Sequence, residues 1–168
     1  FYVLTLGLLK IMARKNSPPP IDLDDLPGHY IRRLQQIAVA LFLQETEAHG
    51  VTPVQFAALQ TVSSLPGVDQ RRLARAIGLD TSTIASVVDR LEARGLLARS
   101  LSPEDRRVRL LNLTPEGREA LASVLPGMLR AQQRILAPLP AAEQAEFMRM
   151  LRTLVSANND VSRAPSDA

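Results

Sequence analysis

Apolar positions along the chain recur mostly at helical spacing, with one short interval of a different period. From about Leu23 to Ala48 the pattern predicts a long helix whose centre, Ile37 to Leu43, is apolar on every side. Such a helix needs cover on more than one face, and in so small a chain a second subunit is the expected cover. Gly50 ends it. Thr52-Pro53-Val54-Gln55 then opens a second helix, with Thr as cap, Pro at the first helical position and Gln three residues after the cap. It should run to about Ser64, ahead of Pro66-Gly67. A third helix is expected over Gln70 to Ile77, with Leu73, Ala74 and Ile77 inward and Gly78 as its stop. Only Gly78-Leu79-Asp80 separates it from a fourth, capped by Asp80, in which Ile84, Val87, Val88 and Leu91 face inward and after which Gly95 closes the helix.

The period then changes. Leu97 to Leu101 and Val108 to Leu113 are short β-compatible runs joined by the polar turn Ser102 to Arg107, which predicts a two-stranded hairpin. Thr114-Pro115 opens another helix carrying Leu121, Val124, Leu125, Met128, Leu129 and Ile135, and Pro126-Gly127 should kink or break it. After Pro138 and Pro140 a final helix, about Ala141 to Ser156, has a broad apolar face of Phe147, Met148, Met150, Leu151, Leu154 and Val155. That breadth again calls for burial on two sides. The fold class is therefore mainly α with a small β-hairpin wing: a winged helix-turn-helix on a helical dimerisation scaffold.

Charge sharpens this picture through its placement. The chain carries a net charge of +3, and eighteen of its twenty basic residues are Arg. Arg is planar, permanently charged and suited to bidentate contacts with phosphate and base edges. Between Gln70 and Leu110 nine Arg (71, 72, 75, 90, 94, 99, 106, 107 and 109) face five acids (80, 89, 92, 104 and 105), so the basic surplus sits in the middle of the chain. A basic middle in a near-neutral protein is the footprint of a polyanion site, against the plainer reading of ordinary solvated surface. The absence of Cys excludes disulfides, zinc-thiolate sites and thiol redox sensing, and with only His29 and His49 a His-rich metal site is not expected. No cofactor is expected.

Residues 1–20 stand apart. Phe1 to Met12 is apolar but too short to span a bilayer, and Lys10 interrupts it. Met12 followed by Ala-Arg-Lys-Asn-Ser-Pro-Pro-Pro reads as a start, so residues 1–11 are expected to be upstream or vector-encoded sequence. A weak signal peptide is the rival, without a small-residue cleavage site of the usual pattern. The expected location is cytoplasmic, with no membrane partner. The domain division is then residues 1–20 disordered or vector-encoded, 21–50 and 114–157 a helical dimerisation region, 51–113 the winged helix-turn-helix, and 158–168 a flexible tail.

The mechanics of residues 69–113 carry the chemistry. If Ile84, Val87, Val88 and Leu91 bury one face of the fourth helix, then Ser82, Thr83, Ser86, Asp89, Arg90 and Ala93 occupy the other. That outer face is small and polar at its N-terminal end, which permits close approach to base edges in a major groove. Thr81, Ser82 and Thr83 would offer free backbone N–H groups and hydroxyls to a phosphate. Arg90 and Arg94 would reach flanking phosphates. The hairpin tip presents Arg106 and Arg107, and a thin ribbon ending in Arg enters a narrow minor groove where negative potential is concentrated. Asp105 is expected to hold one of these guanidinium groups in a fixed pose. The alternatives at these positions are a solvent-facing surface helix and a routine turn.

The stretch LARAIGLDTSTIASVVDRLEARGLLARSLSPEDRRVRLLNLTPEGRE, residues 73–119, resembles the MarR family of winged-helix regulators. The marks are Leu73-Ala74, the run Thr83 to Glu92, Gly95-Leu96 with Arg99, Asp105-Arg106-Arg107, and Leu113-Thr114-Pro115-Glu116-Gly117. With its flanking helices the resemblance covers about residues 23 to 156. It implies a homodimer built on the first and last helices, with Ser82, Thr83, Ser86 and Arg90 for the major groove and Arg106 or Arg107 for the minor groove. It also implies double-stranded DNA with an inverted-repeat operator as the partner, read at grooves about one helical turn apart. Most proteins like it are repressors released by a small molecule, often a phenolic or aromatic acid.

For that effector the opening of the first helix is the candidate. His29, Arg33, Gln36 and Ala40 share one face beside an apolar stripe of Tyr30, Ile31, Leu34, Ile37 and Leu41. A cationic edge beside an apolar wall suits an aromatic carboxylate, so His29, Tyr30, Arg33 and Gln36 form the candidate ligand set. Otherwise His29 and Arg33 would lie on a solvated rim and pair with Asp24 or Asp25. Similarity to regulators of aromatic-acid breakdown is strongest in this opening, in Thr52 to Phe56 and in Asp69-Gln70.

Three other readings are weaker. An enzyme is not expected, because no nucleophile-base order, Gly-rich phosphate loop or ligand-spaced cluster is present. An effector-independent architectural DNA-binding protein would show weak sequence preference, and a winged-helix protein–protein module would show little salt dependence towards DNA.

Overall fold

The computed structural model of the chain describes residues 21–162. The expectations for residues 1–20 and for the end of the tail lie outside the described residues. The chain divides between Gln35 and Gln36 into two compact units.

In the first unit Asp22 caps a 3-10 turn, Leu23–Asp25, by accepting the Asp24 N–H at 3.0 Å. Helix α1, Pro27–Thr46, starts four residues later than the periodicity indicated. The reason is Pro27, whose ring disfavours the helical conformation at the preceding residue: Leu26 is extended, with φ −101° and ψ 112°. From Gln36 onward the chain belongs to the second unit, where a 3-10 turn, Glu47–His49, and Gly50 in the left-handed conformation close the segment.

In the second unit α2 (Pro53–Ser64) opens with the full reciprocal capping box, the Gln55 N–H donating to Thr52 Oγ1 and Gln55 Oε1 accepting the Thr52 N–H. Helix α3 (Gln70–Ile77) is capped by Asp69 and ends at Gly78, whose φ of 76° is the left-handed conformation that glycine adopts without penalty. Helix α4 (Thr81–Ala93) follows, capped by Asp80. The sheet has three strands and not the expected two: β1 (Val68–Asp69), β2 (Leu97–Leu101) and β3 (Arg109–Leu113), all antiparallel in the order β1-β3-β2. A two-residue strand leaves no periodicity to detect. It exists because Val68 pairs with Leu111 and the Gly67 N–H donates to the Leu111 carbonyl.

Helix α5, Pro115–Leu136, continues through Pro126, so the helix does not break at Pro126-Gly127. Proline removes one backbone donor, but Ala122, whose carbonyl loses that bond, is exposed to water. Val124 and Ala131, on either side, are both fully buried in one cluster with Phe42 and Val51. Helix α6 (Ala141–Ala157) is the last long helix, and none of its residues is buried.

Two apolar clusters hold the second unit. The larger contains Leu59, Leu73, Ile84, Val88, Leu91, Leu97 and Leu111, all 2% exposed or less. Each such side chain contributes about 1.5–3 kcal/mol by leaving water. Phe56 packs against both clusters and tilts against Phe42 with ring centroids 6.0 Å apart, so it joins them. Among the described residues no helix is long and apolar enough to cross a membrane.

Candidate nucleic-acid interface

Helix α4 is held by its inner face. Ile84, Val87, Val88 and Leu91 are buried, as their spacing predicts, and Thr81, Ser82, Thr83, Ser86, Asp89, Arg90 and Ala93 are exposed. The small polar residues therefore stand on an open face with bulk only towards Arg90. The structure differs from expectation at the helix start. Asp80 accepts from Ser82 Oγ at 2.5 Å, from Thr83 Oγ1 at 2.7 Å and from the Thr83 N–H at 2.8 Å. Its own carboxylate thus fills the anion-binding position, and the Thr83 N–H and both hydroxyl donors are not free for a phosphate. Those hydrogen bonds hold the Asp80 carboxyl well below the usual carboxylate range, the Ser82 hydroxyl being the largest cause and Thr83 next.

Arg90 is exposed on α4. Arg94 is also exposed, yet its Nη1 donates to the Gly50 carbonyl at 2.9 Å and its Nη2 lies 3.5 Å from the His49 carbonyl. That guanidinium ties the end of α4 to the loop before α2, a use that sequence spacing does not reveal because the partners are 44 and 45 residues away.

The wing follows at once. Leu97 pairs with Leu113 and Leu101 with Arg109 across the hairpin, and the Ser102 N–H donates to the Val108 carbonyl to close it. Within the tip, Ser102 Oγ accepts from the Glu104 and Asp105 N–H groups, and Asp105 Oδ1 accepts the Arg107 N–H at 2.9 Å. The expectation that Asp105 restrains a guanidinium is corrected here. Its carboxylate shapes the turn through a backbone N–H two residues on, the short-range bond that Asp side chains favour in turns. Arg106 and Arg107 are exposed at the tip.

A contact that sequence reasoning missed joins the two elements. Arg99 on β2 forms an ion pair with Glu92 and sets its Nη2 2.5 Å from Asp89 Oδ1. Burial works against the guanidinium charge, and the hydrogen bonds it donates to Asp89 and then Glu92 more than offset it, so the Arg99 pKa stands above its ordinary value. The hairpin is also seated on α5: Thr114 Oγ1 donates to the Gly95 carbonyl at 2.6 Å and accepts the Gly117 N–H at 2.9 Å.

The candidate ligand residues fall at the start of α1. His29 is half-buried and meets Tyr30 edge-on with ring centroids 5.6 Å apart, while Tyr30 and Arg33 are exposed. The Tyr30 hydroxyl donates to Asp24 Oδ1 at 3.3 Å, so it is the phenol that reaches Asp24. Gln36 is exposed and opens the second unit. A surface depression lined by Val62, Ser63, Pro66, Asn112, Leu113 and Arg118 shares no residue with this set.

Comparison with known proteins converges on one family. The model of the MarR family matches residues 51–108, which span α2 to the end of the wing turn. The chain is 41% identical to the PcaV transcriptional regulator of Streptomyces coelicolor, solved with its natural ligand; the match covers 83% of this chain and 99% of that one, with a TM-score of 0.78. It is 32% identical to BpsR of Bordetella bronchiseptica, whose DNA binding is regulated by 6-hydroxynicotinic acid, over 80% of this chain and 96% of that one, with a TM-score of 0.76. The transcriptional repressor CouR, bound to a 23-mer DNA duplex, is 30% identical over 83% of this chain and 99% of that one, with a TM-score of 0.75; CouR has also been solved with p-coumaroyl-CoA. The helix pair, the Arg-tipped wing and these likenesses agree, and the chain belongs to the MarR family of winged helix-turn-helix, DNA-binding transcription regulators.

Proposed function

We propose that the protein is a homodimeric repressor that binds an inverted-repeat operator and is released by a small aromatic acid or phenolic ligand. The observation that carries this reading is the exposed small-polar face of α4 beside the Arg106-Arg107 tip. Ser82, Thr83, Ser86 and Arg90 enter a major groove, Thr81 stands at the backbone, and Arg106 or Arg107 occupies the adjoining minor groove. Arg94 acts first as an internal tie and supports the helix it terminates. The apolar residues that the single chain leaves exposed favour a dimer: Leu129 on α5, and Met150, Leu154 and Val155 on α6, are 45–66% exposed. Large exposed apolar surface of this kind marks an interface.

The effector class rests on His29, Tyr30, Arg33 and Gln36, with support from BpsR and CouR, whose ligands carry an aromatic ring. Arg33 would pair with the ligand carboxylate and Tyr30 would supply an aromatic wall. The operator is sought in the DNA flanking the gene, using labelled duplexes and fluorescence anisotropy at two salt concentrations. One palindromic duplex should bind far more tightly than scrambled DNA, and 6-hydroxynicotinate or 4-hydroxybenzoate should release it. Absence of preference for any palindrome rejects the repressor reading. If Arg33→Ala leaves ligand release unchanged, Arg33 has no part in effector binding.

A further inference from the structure

Ser82, Ser86, Asp89 and Ala93 recur at i, i+4, i+7 and i+11 of α4, so they form one exposed stripe along the helix. Asp89 thus sets a carboxylate in the middle of a face offered to a polyanion, where an unmasked negative charge opposes binding. It also sits, with Glu92 three residues on, in the C-terminal half of α4, whose carbonyl end disfavours anions. Both penalties are met by one residue. Arg99 reaches from β2 to both carboxylates, and its side chain is only 22% exposed whereas Asp89 is 66% exposed. A planar fork is suited to span two carboxylates on successive turns; a lysine, a point charge, engages one well. Arg106, Arg107 and Arg109, by contrast, are exposed wing arginines.

We infer that Arg99 is a positioning residue for DNA recognition: it cancels the Asp89 charge on the reading face and pins β2, and with it the wing, to the C-terminal half of α4. Arg99 does not itself bind phosphate, and Asp89 does not itself read a base. The inference rests on the DNA-binding reading, and the two fail separately: wild-type protein that binds no duplex defeats the reading, whereas the variants below test the inference only against a wild type that binds.

The experiment measures the affinity of the full chain and of Arg99→Gln, Arg99→Lys, Asp89→Asn and the Asp89→Asn/Arg99→Gln double variant for one operator duplex across a salt series. Thermal unfolding runs alongside. Arg99→Gln should weaken binding by about tenfold or more, because it leaves Asp89 unmasked and loosens the wing. Asp89→Asn should tighten binding by about threefold, since it removes the carboxylate and frees positive charge beside the groove. The double variant should recover most of the loss seen with Arg99→Gln. Arg99→Lys should fall between wild type and Arg99→Gln, with the slope of affinity against salt unchanged in every Arg99 variant. A slope reduced by about one in Arg99→Gln, with no recovery in the double variant, makes Arg99 a phosphate ligand and overturns the inference. Weaker binding by Asp89→Asn, with relaxed preference at one base pair, makes Asp89 a reader of cytosine and overturns it equally. Should Arg99→Gln fail to fold, Asp89→Asn and Arg99→Lys decide the matter, and wild-type affinity in both rejects it.

Discussion

At Asp80 one carboxylate gathers three donors at the start of α4, and its acid response is therefore distinctive. A carboxyl held lower in the folded chain than in the unfolded one contributes stability that is fully present above the unfolded value, about 3.9 for Asp, and is lost as pH falls through the lowered folded value. The folded value of Asp80 is lowered, so its contribution should erode as the solution is acidified from about pH 4 downward. Asp80→Asn removes that titration. Urea midpoints taken at a series of pH values should decline less steeply in this window for Asp80→Asn than for wild type, and equal slopes would show that the cap carries no pH linkage. The capping role of Asp80 is legible from its place before Thr81-Ser82-Thr83. What a linear pattern cannot show is that the cap also consumes the Ser82 and Thr83 hydroxyl donors, because rotamers are chosen by the folded surroundings.

Elements dock at two glycines, and there the tolerances are tight. A Cβ on Gly117 would lie 1.9 Å from the Leu96 carbonyl oxygen, and one on Gly127 would lie 2.3 Å from the Glu45 carbonyl oxygen. Neither partner is a flexible side chain that can swing aside. Gly117→Ala should therefore cost about 1–3 kcal/mol, read as a lower urea midpoint with little change in the denaturant slope. A wild-type midpoint would mean that the turn carrying Leu96 yields freely. At Gly127 the same close approach brings α1 and α5 together, and Arg130 Nε and Arg134 Nη1 bridge to Glu45 at 2.8 and 2.9 Å. Hydrogen bonds from Arg130, then Arg134, hold the Glu45 carboxyl below its ordinary range. Element identity was largely legible: the extents of α3 and the fourth-helix cap follow from Asp69, Gly78 and Asp80, whose local chemistry acts within a few residues. The third strand and the continuity of α5 were not, since each depends on a partner element distant in sequence.

For the molecule as a whole, the apolar surface left on α5 and α6 predicts assembly. Leu154→Glu combined with Val155→Glu should convert a dimer to a monomer in sedimentation, and should weaken binding to a two-half-site duplex by on the order of a hundredfold while sparing the fold. A double variant that sediments and binds as wild type would place the interface elsewhere. By itself the amino-acid order determined the winged helix-turn-helix class, the open face of α4 and the Arg-bearing wing tip, because helical and strand periods, caps and left-handed glycines are short-range effects written into neighbouring residues. Tertiary structure alone decided where the long-range charges go. Arg94 bonds to carbonyls before α2, and Arg99 joins the wing to Asp89 and Glu92. The physical reason is reach: a guanidinium on a flexible stem can satisfy any acceptor within several ångströms, and which acceptor lies there is known only once the elements have packed.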